Sequence, residues 1–144
     1  IIPRFKISGD LLLVRQYRII FEKYVIGFPA GLVDHGETIE KGALRELREE
    51  TGYSGKIVSV SSMLSVHSAL VHEMAYCAFI ELDENTLPVE QSLEDSENIE
   101  VFRVKEKGLF SFFDQAAKHG DIISAGPWLV ALTANWPKHP VSDV

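Results

Sequence analysis

The sequence predicts an α/β fold in which a mixed sheet is covered by helices. Three observations carry this expectation. Short apolar runs bounded by turn residues stand on both sides of one long amphipathic stretch, residues 38–51. Two more helical patterns follow residue 105, after the last strand-like run. The chain has 144 residues, 46% of them hydrophobic, which suits a single domain (residues 1–144) built on one core.

Taken in order, residues 1–8 read as a strand, with Ser8-Gly9-Asp10 as its turn. Residues 11–14 form an unbroken apolar run, as expected of a strand buried on both faces, and lead into Arg15-Gln16-Tyr17-Arg18. Residues 24–28 are the next strand, followed by Pro29-Ala30-Gly31. Residues 38–51 read as a helix: Thr38 can cap its N-terminus, Glu40 sits in the favoured first turn, and Gly52 stands just past its end. At about 100° per residue, Ile39, Ala43, Leu44 and Leu47 share one side. Residues 56–66 read as a strand, 65–73 as a loop with His67 and His72, and 74–82 as a strong strand. Residues 83–98 are the most acidic and least apolar, as expected of a solvated, mobile loop. Ile99–Val104 alternates as a last strand. Residues 106–119 read as an amphipathic helix with Leu109, Phe110, Phe113, Ala116 and Ala117 on one side and Gly120 as its stop. Gly126-Pro127 opens a final helix, residues 128–135, which Pro137 and Pro140 end. No repeat or linker interrupts this order. The first residue is Ile1 rather than Met, inside an apolar run, so an earlier N-terminal segment is expected.

The net charge of −7 argues against a nucleic-acid or anionic-membrane partner. It also means that a polyanionic substrate would need metal ions or local arginines to offset repulsion. Cys77 is the only cysteine, which excludes an internal disulfide and fits a reducing, cytoplasmic setting. No apolar run approaches membrane-spanning length, and no signal-peptide pattern is present. His35, His67, His72, His119 and His139 lack zinc-ligand spacing with Cys77 and read as loop or surface residues. Cys77, Trp128 and Trp136 read as packing residues.

The chemistry concentrates on the helix at residues 38–51. Glu46, Glu49 and Glu50 lie three and four residues apart, so their carboxylates are neighbours that repel. A hard divalent cation with oxygen ligands would offset that repulsion, and Arg45, four residues before Glu49, can hold that carboxylate in place. A solvated, salt-bridged surface helix would show the same carboxylates, but the flanking Gly31, Gly36 and Gly52 mark a tight loop and a helix stop. The stretch resembles the Nudix box, G-x5-E-x7-R-E-U-x-E-E-x-G-U with U a bulky aliphatic. Gly31, Glu37, Arg45, Glu46, Leu47, Glu49, Glu50 and Gly52 all match it, and only Tyr53, at a packing position, departs. Gln16-Tyr17-Arg18, residues 26–32 and residues 93–101 further resemble the ADP-sugar pyrophosphatase branch of the Nudix hydrolases. The resemblance covers roughly residues 5–120.

It implies an α/β/α sandwich and Mg²⁺-dependent hydrolysis of the pyrophosphate bond of ADP-ribose or a related ADP-sugar, with Mn²⁺ as an alternative ion. It further implies that Glu46 and Glu50 are the main metal carboxylates, that Glu49 supports them, and that the main-chain carbonyl of Ala30 is a ligand. Arg18, the backbone near Leu32, and Glu73 would contact substrate, and Glu97 would be the base or a further ligand, with Glu49 the other candidate base. A homodimer is expected on the same ground. Two departures touch substrate detail. Ala69, Leu70 and Val71 stand where Pro-Gly and a polar residue are common, and Gly27 stands where a glutamate is common. Two rival readings remain. One is a Nudix hydrolase of another nucleotide, such as a nucleoside triphosphate or dinucleotide polyphosphate. The other is a Nudix-fold binding module without turnover, against which the complete set of box carboxylates argues.

Overall fold

The computed structural model describes residues 1–66, 69, 73–94 and 97–134. At its centre lies the apolar run of the sequence, which becomes the strand β2, Leu11–Arg18. Successive side chains of a strand point to opposite faces. Leu11 and Leu13 therefore join one core, with Ile26, Val104, Leu109 and Phe113. Leu12 joins another, with Phe5, Ala43, Leu47, Ile80 and Leu82. The sheet thus has a core on each face, as the continuous hydrophobicity of the run foretold.

Around β2 stand β1 (Ile2–Phe5), β3 (Lys23–Gly27), the helix α1 (Ile39–Thr51), β4 (Lys56–Val60), β5 (Leu64–Ser65), β6 (Met74–Ala75), β7 (Ala78–Leu82) and β8 (Ile99–Val104). One 3₁₀ turn, Glu106–Gly108, leads into α2 (Leu109–Lys118), and β9 (Ile122–Ile123) and α3 (Ala125–Ala134) follow. Among the described residues the main sheet has seven strands in the order β4-β7-β1-β2-β3-β9, with β8 also paired to β2. It is mixed: β1 runs parallel to β7 and β3 to β9, while β2 is antiparallel to β1, β3 and β8. Helix α1 covers one face and α2 with α3 the other, giving the expected α/β/α sandwich. No helix among the described residues is long and apolar enough to cross a membrane.

α1 is placed by local chemistry. The Thr38 hydroxyl accepts from the Lys41 N–H at 3.4 Å, and Gly52 adopts φ 73° while its N–H caps the Arg48 carbonyl. Leu47 is fully buried against the sheet. Burial of such a side chain contributes about 2–3 kcal/mol, so Leu47→Ala would be among the costlier changes.

Several expectations shift. The strand expected over residues 56–66 breaks after Val60, and that over 74–82 breaks at Tyr76 and Cys77. Ser61 is the reason. Its N–H donates to the Cys77 carbonyl and its hydroxyl accepts from the Cys77 N–H, so a side chain takes a ladder position. An irregular register between Ile57 and Ser59 adds to the bend. β9 was not foreseen, since two residues are too few to show alternation. The final helix starts at Ala125, three residues before the expected start, with Pro127 in its first turn. Asn135, Trp136, Pro137, His139 and Pro140 lie outside the described residues, as do His67, His72, Leu70 and Val71.

The acidic segment also differs in part. Residues 88–92 are bound to the end of α1 rather than free in solvent. Val89 N–H donates to Gly52 O at 2.9 Å and Ser92 N–H to Glu49 O at 3.0 Å. The Gln91 amide donates to Glu50 O and, at 3.1 Å, to Ile99 O. The last carbonyls of a helix have no partner within it, and this strap supplies donors for them.

Candidate active site: a carboxylate helix beneath a glycine loop

Residues 28–37 lead from β3 to the start of α1 and pass over its later turns. Gly31 is where the two come closest. A Cβ there would lie 2.0 Å from the Glu46 carboxyl carbon and 2.2 Å from both its oxygens, so any side chain would displace that carboxylate. One residue earlier, the Ala30 N–H donates to Glu50 Oε2 at 3.1 Å. The loop backbone thus reaches both glutamates.

Arg45 ties the loop to the helix. Its guanidinium donates to Glu37 Oε1 at 3.2 Å and Oε2 at 3.0 Å, a paired fork. It also donates to Glu46 Oε1 at 2.8 Å, Glu49 Oε2 at 2.9 Å and the Leu32 carbonyl at 2.8 Å. The Glu37 hydrogen bonds, then Glu46, push the Arg45 pKa further up. In turn Arg45, then the Asp34 N–H, holds the Glu37 carboxyl below the usual carboxylate range. Arg45 therefore does more than the expected support of Glu49: it also fixes the loop in which Leu32 sits, 85% exposed.

Glu50 differs from its neighbours. It is 4% exposed, and its pKa is pushed up to about 7. Burial is the largest cause. The charges of Glu46 and Glu97 add to it, while the Ala30 N–H and the Arg18 charge oppose it. The same interactions locate the predicted residues: Glu46, Glu97, Arg18 and the Ala30 backbone all act on Glu50. Glu97 is half-buried and forms a turn with Glu94, whose N–H donates to Glu97 Oε2 at 3.1 Å. Glu73 is exposed, and no interaction among the described residues joins it to this group. Ser68 and Asp95 lie outside the described residues.

The donor set suits a hard divalent cation. It consists of carboxylate and main-chain oxygens, and Glu50 carries a like-charge and burial strain that a cation would relieve. Among the described residues no three acidic, histidine or cysteine groups are already gathered round one point, because Glu46 and Glu49 are engaged by Arg45. Sequence reasoning missed Gln91 and its clamp on Glu50 O and Ile99 O. An isolated Gln in a polar segment carries no periodicity or motif to mark it.

A helix that brings two glutamates under a glycine loop and a third beside them, with one arginine tying loop to helix on an α/β/α sandwich, defines a class of site whose oxygen donors suit a divalent cation. The particular family follows from comparison: the NUDIX domain model matches residues 1–124, and the chain belongs to that family. It is 43% identical over 113 residues to the ADP-ribose pyrophosphatase of Saccharomyces cerevisiae, covering 76% of this chain and 47% of the relative. It is 30% identical over 107 residues to the ADP-sugar pyrophosphatase of Mus musculus, covering 72% and 49%. The chain thus spans about half the length of the curated relatives it matches. The crystal structure of an ADP compounds hydrolase shares the fold at TM-score 0.57 and 23% identity, over 78% of this chain and 60% of that one.

Proposed function

We propose that this chain carries the catalytic site of a divalent-metal-dependent hydrolase. It would cleave the pyrophosphate bond of ADP-ribose or a related ADP-sugar, giving AMP and a sugar phosphate. The observation that carries this reading is the complete carboxylate set, Glu46, Glu49 and Glu50, with Glu50 buried beneath the Ala30 N–H and strained by like charge. The names of the relatives support the substrate class.

The ion is Mg²⁺, with Mn²⁺ as an alternative. Glu46, Glu50, Glu49 and the Ala30 carbonyl would hold it. When bound, it supplies Lewis-acid stabilisation of phosphoryl charge and lowers the pKa of water. The chain's own residues do the rest. Arg18, at the end of β2, binds the diphosphate through a planar guanidinium. Arg45 keeps Glu46 and Glu49 in place and anchors the Leu32 loop against the substrate. Glu97 takes the proton from water as that oxygen attacks one phosphorus. The phosphorus–oxygen bond to the other phosphate then breaks, and the leaving phosphate carries its electron pair away. Glu49 is the second candidate for the base, and Glu73 for a contact on the sugar side.

A homodimer belongs to the same reading. The exposed Met63, Leu64, Met74 and Tyr76 around the short β5–β6 hairpin support it. A cytoplasmic location rests on the single cysteine. The test is chromatographic product analysis with Mg²⁺ over ADP-ribose, ADP-glucose, NADH, dinucleotide polyphosphates and ATP. AMP and ribose 5-phosphate from ADP-ribose are expected. Preferential turnover of ATP or a dinucleotide polyphosphate would favour the rival hydrolase, and no turnover would favour a binding module.

A further inference from the structure

Gln16 lies on β2 in a row that is otherwise apolar until Arg18. Leu12, Val14, Gln16 and Arg18 alternate onto the face that α1 covers, because Leu12 packs there with Ala43 and Leu47. Gln16 is 9% exposed. Its backbone takes part in the ladders with Val25 and Ile99, and no described residue bonds its side-chain amide, whose atoms remain open to solvent; Glu84 Oε2, not Gln16, is the fully buried side-chain polar atom left without a partner among the described residues. A primary amide has two donors and an acceptor, and here they are free to meet solvent or a bound group.

The surroundings indicate what partner is wanted. Arg18, two residues along the same face, and Glu97 both act on the charge of Glu50. Across the sheet Gln16 is paired with Ile99, two residues beyond Glu97. The Gln91 amide spans Ile99 O and Glu50 O, so the backbones of those residues are one side chain apart. Gln16 therefore belongs to the floor of the site, next to the arginine assigned to the diphosphate. A leucine or methionine would fill that floor at similar volume, so packing gives no reason for Gln.

We propose that Gln16 is a substrate-contacting residue whose amide donates a hydrogen bond to a phosphoryl oxygen of the diphosphate held by Arg18. The inference rests on the hydrolase reading above and extends it to a second group on the same strand face. The amide is neutral, so it adds a directed donor without the charge of a second arginine. Its backbone is also held in place, because β2 is paired on both sides at this point.

The experiment compares wild type, Gln16→Met and Gln16→Glu in two measurements: thermal unfolding without substrate, and steady-state hydrolysis of ADP-ribose with Mg²⁺. Met replaces the amide at nearly equal volume and breaks no side-chain hydrogen bond to a described residue, so the melting temperature of Gln16→Met should stay near that of wild type. Its kcat/KM should fall about tenfold, the loss of one hydrogen bond of about 1.4 kcal/mol. Gln16→Glu places a negative charge beside the phosphates and should fall further. Wild-type kcat/KM in Gln16→Met would overturn the assignment. So would a loss of activity matched by a drop in melting temperature, which marks a packing role. If wild type itself hydrolyses none of the nucleotide panel, the hydrolase reading falls and takes this assignment with it. If wild type is active and Gln16→Met equally so, only the assignment of Gln16 falls.

Discussion

Glu50→Gln separates stability from function in one side chain. In the metal-free protein the carboxyl of Glu50 has its pKa pushed up to about 7, chiefly by burial, against a reference of 4.5. The folded chain then keeps a proton at pH values where the unfolded chain has lost it. Stability should therefore fall as pH rises from about 4.5 to about 7, and above that the whole penalty is present. The rise from 4.5 to about 7, at 1.36 kcal/mol per pH unit, corresponds to about 3 kcal/mol. Gln carries no charge, and its Oε1 can still accept from the Ala30 N–H. In chelator at pH 8, Glu50→Gln should be more stable than wild type by up to about 3 kcal/mol, and the gap should close towards pH 4.5. Urea denaturation of both proteins in EDTA across this range measures it. With Mg²⁺ and ADP-ribose the same variant should lose turnover by orders of magnitude, because a ligand charge is gone. The reasoning fails if Glu50→Gln is the less stable protein at pH 8 in chelator, or if it keeps near-native activity at saturating Mg²⁺.

Gly31→Ala should abolish most activity with little loss of stability. The new Cβ meets the end of the flexible Glu46 side chain, which turns away and forfeits its hydrogen bond to Arg45, worth about 1 kcal/mol. A melting curve near that of wild type alongside lost turnover is the expected pair. Arg18→Ala should mainly raise KM, since it binds phosphate in ground and transition states alike, and an unchanged KM with a collapsed melting temperature would mark a structural arginine. Glu97→Gln should lower kcat with substrate and Mg²⁺ affinity nearly intact, while Glu94→Gln and Asp95→Asn do little. Mg²⁺ titration decides the point, because weakened Mg²⁺ binding in Glu97→Gln would make Glu97 a ligand and leave Glu49 as the base.

Much of the frame was legible in the residues themselves. The limits of α1 follow from Thr38 and Gly52, because capping is chemistry between residues three or four apart. The placement of Leu11 and Leu13 opposite Leu12 follows from strand alternation, and the strand Ile99–Val104 was readable in full for the same reason. The spacing of Gly31, Glu37, Arg45, Glu46, Glu49 and Glu50 marks the candidate site in the sequence alone. Only the tertiary structure decided how these groups differ from one another. Glu50 is buried and takes a hydrogen bond from Ala30, 20 residues away, and the charges of Glu46 and of Glu97, 47 residues on, strain it further. The bend at Ser61 depends on Cys77, 16 residues on, and the strap at residues 88–92 on a helix end about 40 residues back. Gln16 looks the same in sequence whether its amide is paired or bare. Periodicity and capping act over one or two turns of chain. Burial, like-charge repulsion and an unmet hydrogen bond are set by whichever distant segment folds against the group.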